Sequence, residues 1–247
     1  MTLILDCIAR DAVFQVSDRR LTDAYGGTVV DDQSNKAVVV DGRIVFGYTG
    51  LAIINGQRTD QWLAQVIADG PTQDMSAVAN RIRDKATAAF SRLRCPTILK
   101  RHAFRGTGWF RLKNEDEPSP GLITVHNLFD HETGNLLDQP LPEFKVHSYF
   151  PAELRGGCLI RNVGIDPSPV ERSTIFRLVS KCCKNKHATR GAVLQALIRS
   201  VQLVIPRSLL RGQSFLVPSG VWRTRGTRQL ERERTVRGQS TTTLSFP

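Results

Sequence analysis

The chain lacks a long apolar run. Nowhere in its 247 residues does an uncharged stretch approach the roughly 18 residues that a membrane-crossing helix needs. A secretory signal is also missing from its opening residues: Asp6, Arg10 and Asp11 interrupt them, and no basic segment precedes an apolar one. The expected location is cytoplasmic, with no membrane partner. Cysteine is scarce. The five present (Cys7, Cys95, Cys158, Cys182 and Cys183) are an odd number without regular spacing, and no Cys-x-x-Cys pair or Cys/His cluster marks a zinc site. Reduced thiols in a reducing compartment are the expectation, with no metal. No glycine-rich phosphate loop is found, so no cofactor is expected.

Acidic residues are also few, at 23 against 34 lysines and arginines, which leaves a net charge of +11. A basic nucleic-acid-binding protein is one reading of that excess. Its distribution argues against it. From Arg207 onward eight arginines face Glu231 and Glu233, a net +6 in the last 41 residues, and few aromatic side chains interleave with them to stack on bases. A solvated basic tail over 206–247, rich in Arg, Gly, Thr and Ser, is expected to follow one domain over 1–205. The hydrophobic content of 40% suits a globular core for that domain.

The apolar pattern predicts strands at 2–9, 12–17, 28–31, 36–40 and 43–49, with Asp41-Gly42 as a hairpin turn. Helical spacing follows at 51–69 and 75–93, the second capped by Ser76. Strands return at 103–112, 121–128, 143–149 and 157–163, then helices at 170–184 and 189–204. Residues 213–222 read as one broken strand. Strand runs alternating with helix pairs point to an α+β protein in which helices cover the outer faces of stacked antiparallel sheets. Cys7 and Trp109 read as packing residues, Trp109 beneath a helix. His126, His131 and His147 read as strand-surface residues.

Thr2 carries the chemistry. Once Met1 is removed, its hydroxyl and a free α-amine belong to one residue, a nucleophile with its own base. An α-amine titrates near ~8, so a neutral, proton-accepting fraction exists at neutral pH. Polar residues fall where such an architecture would bring them close. Asp18 follows the second strand, Lys36 opens the fourth, and Gly50 ends the fifth where a helix is expected to begin. A lysine beside the amine would lower its pKa by like-charge repulsion and polarise the hydroxyl, and an aspartate would orient that lysine. A glycine at such a junction lets a backbone N–H face a developing oxyanion.

Residues 2–52 thus resemble the start of a proteasome-type β subunit, a member of the N-terminal-nucleophile hydrolases. The resemblance rests on Thr2, the D-x-R-x-T motif of Asp18, Arg20 and Thr22, then Lys36 and Gly50-Leu51-Ala52. Asp18 lies 16 residues past Thr2, and Gly50 lies 14 past Lys36. It implies a four-layer αββα sandwich over about 2–204 and a threonine protease or amidohydrolase that assembles with copies of itself. Thr2 would be the nucleophile, Lys36 would ease proton transfer, Asp18 would orient Lys36, and the Gly50 N–H would hold the oxyanion. Arg20 and Thr22 would hold the substrate peptide or amide as an added strand. Ser168 occupies the place of the family's supporting serine. No aspartate occurs across Ile205–Gly212, where the family has one, and Ile54 stands where an acidic residue is common. A non-catalytic assembly or binding subunit of the same fold is the alternative reading.

Overall fold

A computed structural model describes residues 2–9, 11–18, 21–22, 29–31, 34–111, 117–130, 135–151, 154, 157–164, 166–185, 187–204 and 213–216. It is a mixed α+β protein. In chain order the strands are β1 (Leu3–Ala9), β2 (Val13–Asp18), β3 (Leu21–Thr22), β4 (Val29–Asp31), β5 (Ala37–Val40), β6 (Ile44–Thr49), β7 (Ile53–Ile54) and β8 (Gln57–Arg58). Helices α1 (Thr59–Ala68) and α2 (Met75–Ser91) follow, then β9 (Ala103–Phe110), β10 (Ser119–His126), β11 (Lys145–Tyr149) and β12 (Cys158–Gly164). Helices α3 (Pro169–Lys184) and α4 (Arg190–Val204) precede β13 (Gln213–Leu216). Among the described residues no helix is long and apolar enough to cross a membrane.

Two larger sheets organise these strands, one in the order β12-β1-β2-β13 and the other β11-β10-β9-β6-β5, with every pairing antiparallel. Side-chain alternation along each strand sorts residues between two faces. In β1, Leu3, Leu5, Cys7 and Ala9 join Ile175 and Val179 of α3 and Val193, Leu197 and Val201 of α4 in one core. In the other sheet, Phe46, Tyr48, Phe104 and Ile123 pack with Trp62, Leu63, Val78 and Ile82 of α1 and α2. Each fully buried leucine, isoleucine, valine or phenylalanine among them contributes about 1.5–3 kcal/mol.

The remaining β1 residues face the second sheet. Ile4 packs with Ala103, and Ile8 with Val13, Trp109 and Leu122. Trp109 therefore lies between the sheets and not beneath a helix: it sits out of phase with Phe104 and Phe110, which face the helices. Between those two apolar patches Asp6 is 1% exposed and ion-paired to Arg105 at 3.3 Å. Asp6 Oδ1 accepts from Gln15 Nε2 at 3.0 Å and from Thr107 Oγ1 at 2.5 Å. Burial raises the Asp6 pKa, against the pull of Arg105 and the two hydrogen bonds.

Several local expectations change. Helix α1 begins at Thr59, because Ile53–Arg58 fold into a small hairpin around Asn55-Gly56. Both turn residues have positive φ, +51° and +77°, the backbone an Asn-Gly turn favours. Asp74, not Ser76, caps α2: its carboxylate accepts from the N–H groups of Ser76 and Ala77. Strand β13 pairs with β2, so the sheet takes four residues from the segment that the charge count assigns to the tail. Residues 205–212 and 217–247 lie outside the described residues.

Candidate active site

Thr2 stands one residue ahead of β1 and is 6% exposed. Lys36 stands one residue ahead of β5, at the edge of the other sheet, and is 1% exposed. Its ammonium donates to Thr2 Oγ1 at 2.6 Å and to Asp18 Oδ1 at 2.6 Å. The second carboxylate oxygen of Asp18 accepts from the N–H of Leu3 at 3.1 Å. Asp18 thus grips both the lysine and the backbone that carries Thr2. Burial lowers the Lys36 pKa, while the charge and hydrogen bond of Asp18, and more distantly Asp31, act to keep the ammonium charged. The carboxylate of Asp31 accepts from the Ser34 hydroxyl.

The Thr2 carbonyl is held as firmly as its side chain. It accepts from Thr49 Oγ1, at the end of β6, at 3.0 Å. Gly164, paired with Leu3 across β12, lies against it with φ +97°. A Cβ at Gly164 would fall 1.8 Å from the Thr2 carbonyl oxygen, so no other residue fits.

Gly50 follows Thr49 directly, with φ +117°. A Cβ there would meet the Arg101 carbonyl oxygen at 2.4 Å and His102 Nδ1 at 2.5 Å. His102 Nδ1 accepts from the N–H of Leu51 at 3.1 Å, and the His102 N–H donates to Asn127 Oδ1 at 2.8 Å. Full burial lowers the His102 pKa to about 3, which keeps the ring neutral and able to accept. The turn after Thr49 is therefore set by a histidine 51 residues away in sequence. Helix α1 starts at Thr59 and not directly after Gly50 in the chain, yet its first residue meets this turn: the Thr59 N–H donates to the Ala52 carbonyl at 2.9 Å and Thr59 Oγ1 donates to the Leu51 carbonyl at 2.7 Å.

Thr2, Asp18 and Lys36 are thus brought into one hydrogen-bonded group, with Gly50 one residue from Thr49. Ser168 caps α3, its hydroxyl accepting from the Glu171 N–H at 3.3 Å while Glu171 Oε2 accepts from the Ser168 N–H at 2.7 Å. That reciprocal box is exposed. Thr22 lies in β3, whose backbone pairs with β4. Arg20 lies outside the described residues, as does His131. His126 is buried, unlike a strand-surface residue, and stacks on His147 with ring centroids 4.8 Å apart. Its Nδ1 accepts from the N–H groups of Leu128 and Phe129, which holds the turn after β10.

Sequence reasoning missed Thr49, His102 and Gly164. Each is an ordinary residue in its own segment, and its role arises only from what packs on it. It also missed a thiol cluster. Cys7, Cys158 and Cys183 place their sulfur atoms within 4.8 Å of one another, although nothing in their spacing shows it. Hydrogen bonds with Cys183 and Cys7 lower the Cys158 pKa, and hydrogen bonds with Cys158 and Cys183, with burial, raise that of Cys7. The expectation of no cysteine cluster is corrected: β1, β12 and α3 bring together thiols that are distant in sequence. Comparison of the sequence with models of known protein families and with curated proteins gives no match.

Proposed function

We propose that the chain is an N-terminal-threonine hydrolase that cleaves peptide or other amide bonds, built as a four-layer αββα sandwich of the N-terminal-nucleophile type. The layered reading is supported by α1 and α2 packing on one sheet, α3 and α4 on the other, and the side chains shared between the sheets. The observation that carries the chemistry is the Lys36 ammonium donating at 2.6 Å to both Thr2 Oγ1 and Asp18 Oδ1.

The reading requires cleavage of the bond before Thr2. The freed α-amine then takes the hydroxyl proton, directly or through one water, as Oγ1 attacks the substrate carbonyl. Lys36 stabilises negative charge on Oγ1 as the proton leaves and lowers the basicity of the neighbouring amine. The Gly50 N–H holds the oxyanion. The amine leaving group takes the proton, an acyl ester remains on Thr2, and water releases the acid. The net reaction is amide plus water to acid plus amine.

Three measurements test this. Intact mass should show a chain beginning at Thr2. An electrophile that must react with both hydroxyl and amine should label that chain once. A retained Met1 in a chain that still hydrolyses amides defeats the mechanism.

A second reading is favoured by two observations. Thr2 is 6% exposed, and Ser168 is engaged in capping α3. In it the same fold is a non-catalytic assembly or binding subunit. Val170, Phe176 and Leu203, exposed on α3 and α4, offer apolar contacts to another copy. A processed chain that neither labels nor hydrolyses selects this reading.

A further inference from the structure

At the opposite end of β1 from Thr2, three thiols converge from three elements. Cys7 comes from the middle of β1, Cys158 from the first position of β12, and Cys183 from the last turn of α3. Cys7 and Cys158 are 0% and 3% exposed, and Cys183 is half-buried. All three sulfur atoms lie within 4.8 Å of one another.

We propose that Cys7, Cys158 and Cys183 form a three-thiolate site for a soft metal ion, zinc being the divalent choice. A metal at the usual ~2.3 Å from each sulfur sets its sulfur ligands ~3.8 Å apart. Sulfur atoms already within 4.8 Å reach that by movements of an ångström or less, whereas a disulfide requires closing to ~2.05 Å. No oxygen ligand belongs to the group, so hard cations such as magnesium and calcium are disfavoured.

The surroundings suit such an ion. A cleft of about 530 Å³ is lined by Cys183 together with Phe14, Lys184, Asn185 and Arg190. Cys183 borders both the cleft and the cluster, which opens a route for the ion and leaves a fourth coordination position on the cleft side. Binding is M²⁺ plus three thiols giving an M(thiolate)₃ anion and three protons. The resulting single negative charge forms next to a cleft whose lining includes Lys184 and Arg190. The site uses the helix-facing side of β1 and does not depend on the hydrolase reading.

The test uses the reduced full chain, stripped with a chelator and titrated with Cd²⁺ as a spectroscopic substitute for zinc, then with Zn²⁺. The expected result is one Cd²⁺ per chain with an ultraviolet thiolate-to-metal band, release of protons, and displacement by Zn²⁺. Cys183→Ser, which changes the half-buried ligand and is checked for folding by circular dichroism, should weaken binding more than about 100-fold, beyond what loss of an outer-shell partner causes. Cys183→Ala provides a second variant should the serine disturb α3. Cys95→Ser should leave binding unchanged. No thiolate band, or a band that survives both Cys183 variants, overturns the proposal.

Discussion

Lys36 and Thr2 lead into strands of different sheets, and the lysine ammonium donates to the threonine hydroxyl at 2.6 Å. Both side chains are nearly inaccessible, so this hydrogen bond operates where water screens little. An ammonium in that position makes a threonine oxygen a better anion. On the proposed hydrolase reading, its attachment to Asp18 ties catalysis to the stability of the same corner.

Removal of Lys36 should cost folding stability as well as turnover. The Lys36–Asp18 pair is buried on both sides, at 1% and 11% side-chain exposure. Among the described residues Lys36→Ala leaves the Asp18 carboxylate with the Leu3 N–H as its hydrogen-bond donor, and a broken buried pair costs about 3–5 kcal/mol. Urea unfolding of Lys36→Met, Asp18→Asn and the double variant should show the double well short of the sum of the singles. All three should lack turnover on a fluorogenic peptide amide. Additive losses would mean that the pair is not coupled.

Thr2→Ser keeps a hydroxyl on the residue that bears the amine and should retain measurable hydrolysis. Thr2→Ala should reduce it at least about 1,000-fold, as loss of a nucleophile does elsewhere. Its stability cost should stay near ~1 kcal/mol, because one hydrogen bond is lost while Lys36 keeps Asp18. Steady-state rates beside thermal melts separate the two effects. An active Thr2→Ala protein removes Thr2 from the mechanism.

Gly164→Ala should act on Thr2 from behind. The added Cβ would sit 1.8 Å from the Thr2 carbonyl oxygen, on a backbone with φ +97°. Strain of this kind costs about 1–3 kcal/mol before any overpacking. A lower melting temperature with lost activity is expected. Unchanged values for both would show that β12 does not hold Thr2 in place.

His102 imposes a pH dependence on stability. Its folded pKa is lowered to about 3 by burial, below an unfolded value near ~6.5. Above pH ~6.5 both states are neutral at this ring and it contributes no pH dependence. As pH falls below ~6.5 the unfolded state takes up a proton that the folded state refuses, so stability drops by up to about 1.4 kcal/mol per pH unit until the folded pKa is reached. Denaturant midpoints from pH 7 to 4.5 should decline more steeply in the wild type than in His102→Gln. Equal slopes would show that the ring is not held neutral.

Much of the scaffold was legible because it follows local rules. The β-branched, apolar 3–9 segment could only be a buried strand, and Val78, Ile82, Ala86 and Ala89 lie on one helical face. The errors were local as well. Asn55-Gly56 is a strong turn signal inside a stretch whose apolar residues also fit a helix, and the turn prevails over Ile53–Arg58. Asp74 outcompetes Ser76 as a cap because its carboxylate reaches two orphan N–H groups.

By itself the sequence determined which residues could meet: a threonine ahead of β1, an aspartate at the end of β2, a lysine ahead of β5 and a glycine after β6. Side-chain period and turn chemistry are short-range and can be read along the chain. Only the tertiary structure decided that Lys36 reaches Thr2 from another sheet, that His102 holds the Leu51 backbone, and that Ser168 caps a helix. It alone gathered Cys7, Cys158 and Cys183. These contacts depend on how two sheets and two helix pairs pack, and in the thiol cluster that packing joins Cys7 to Cys183, 176 positions away.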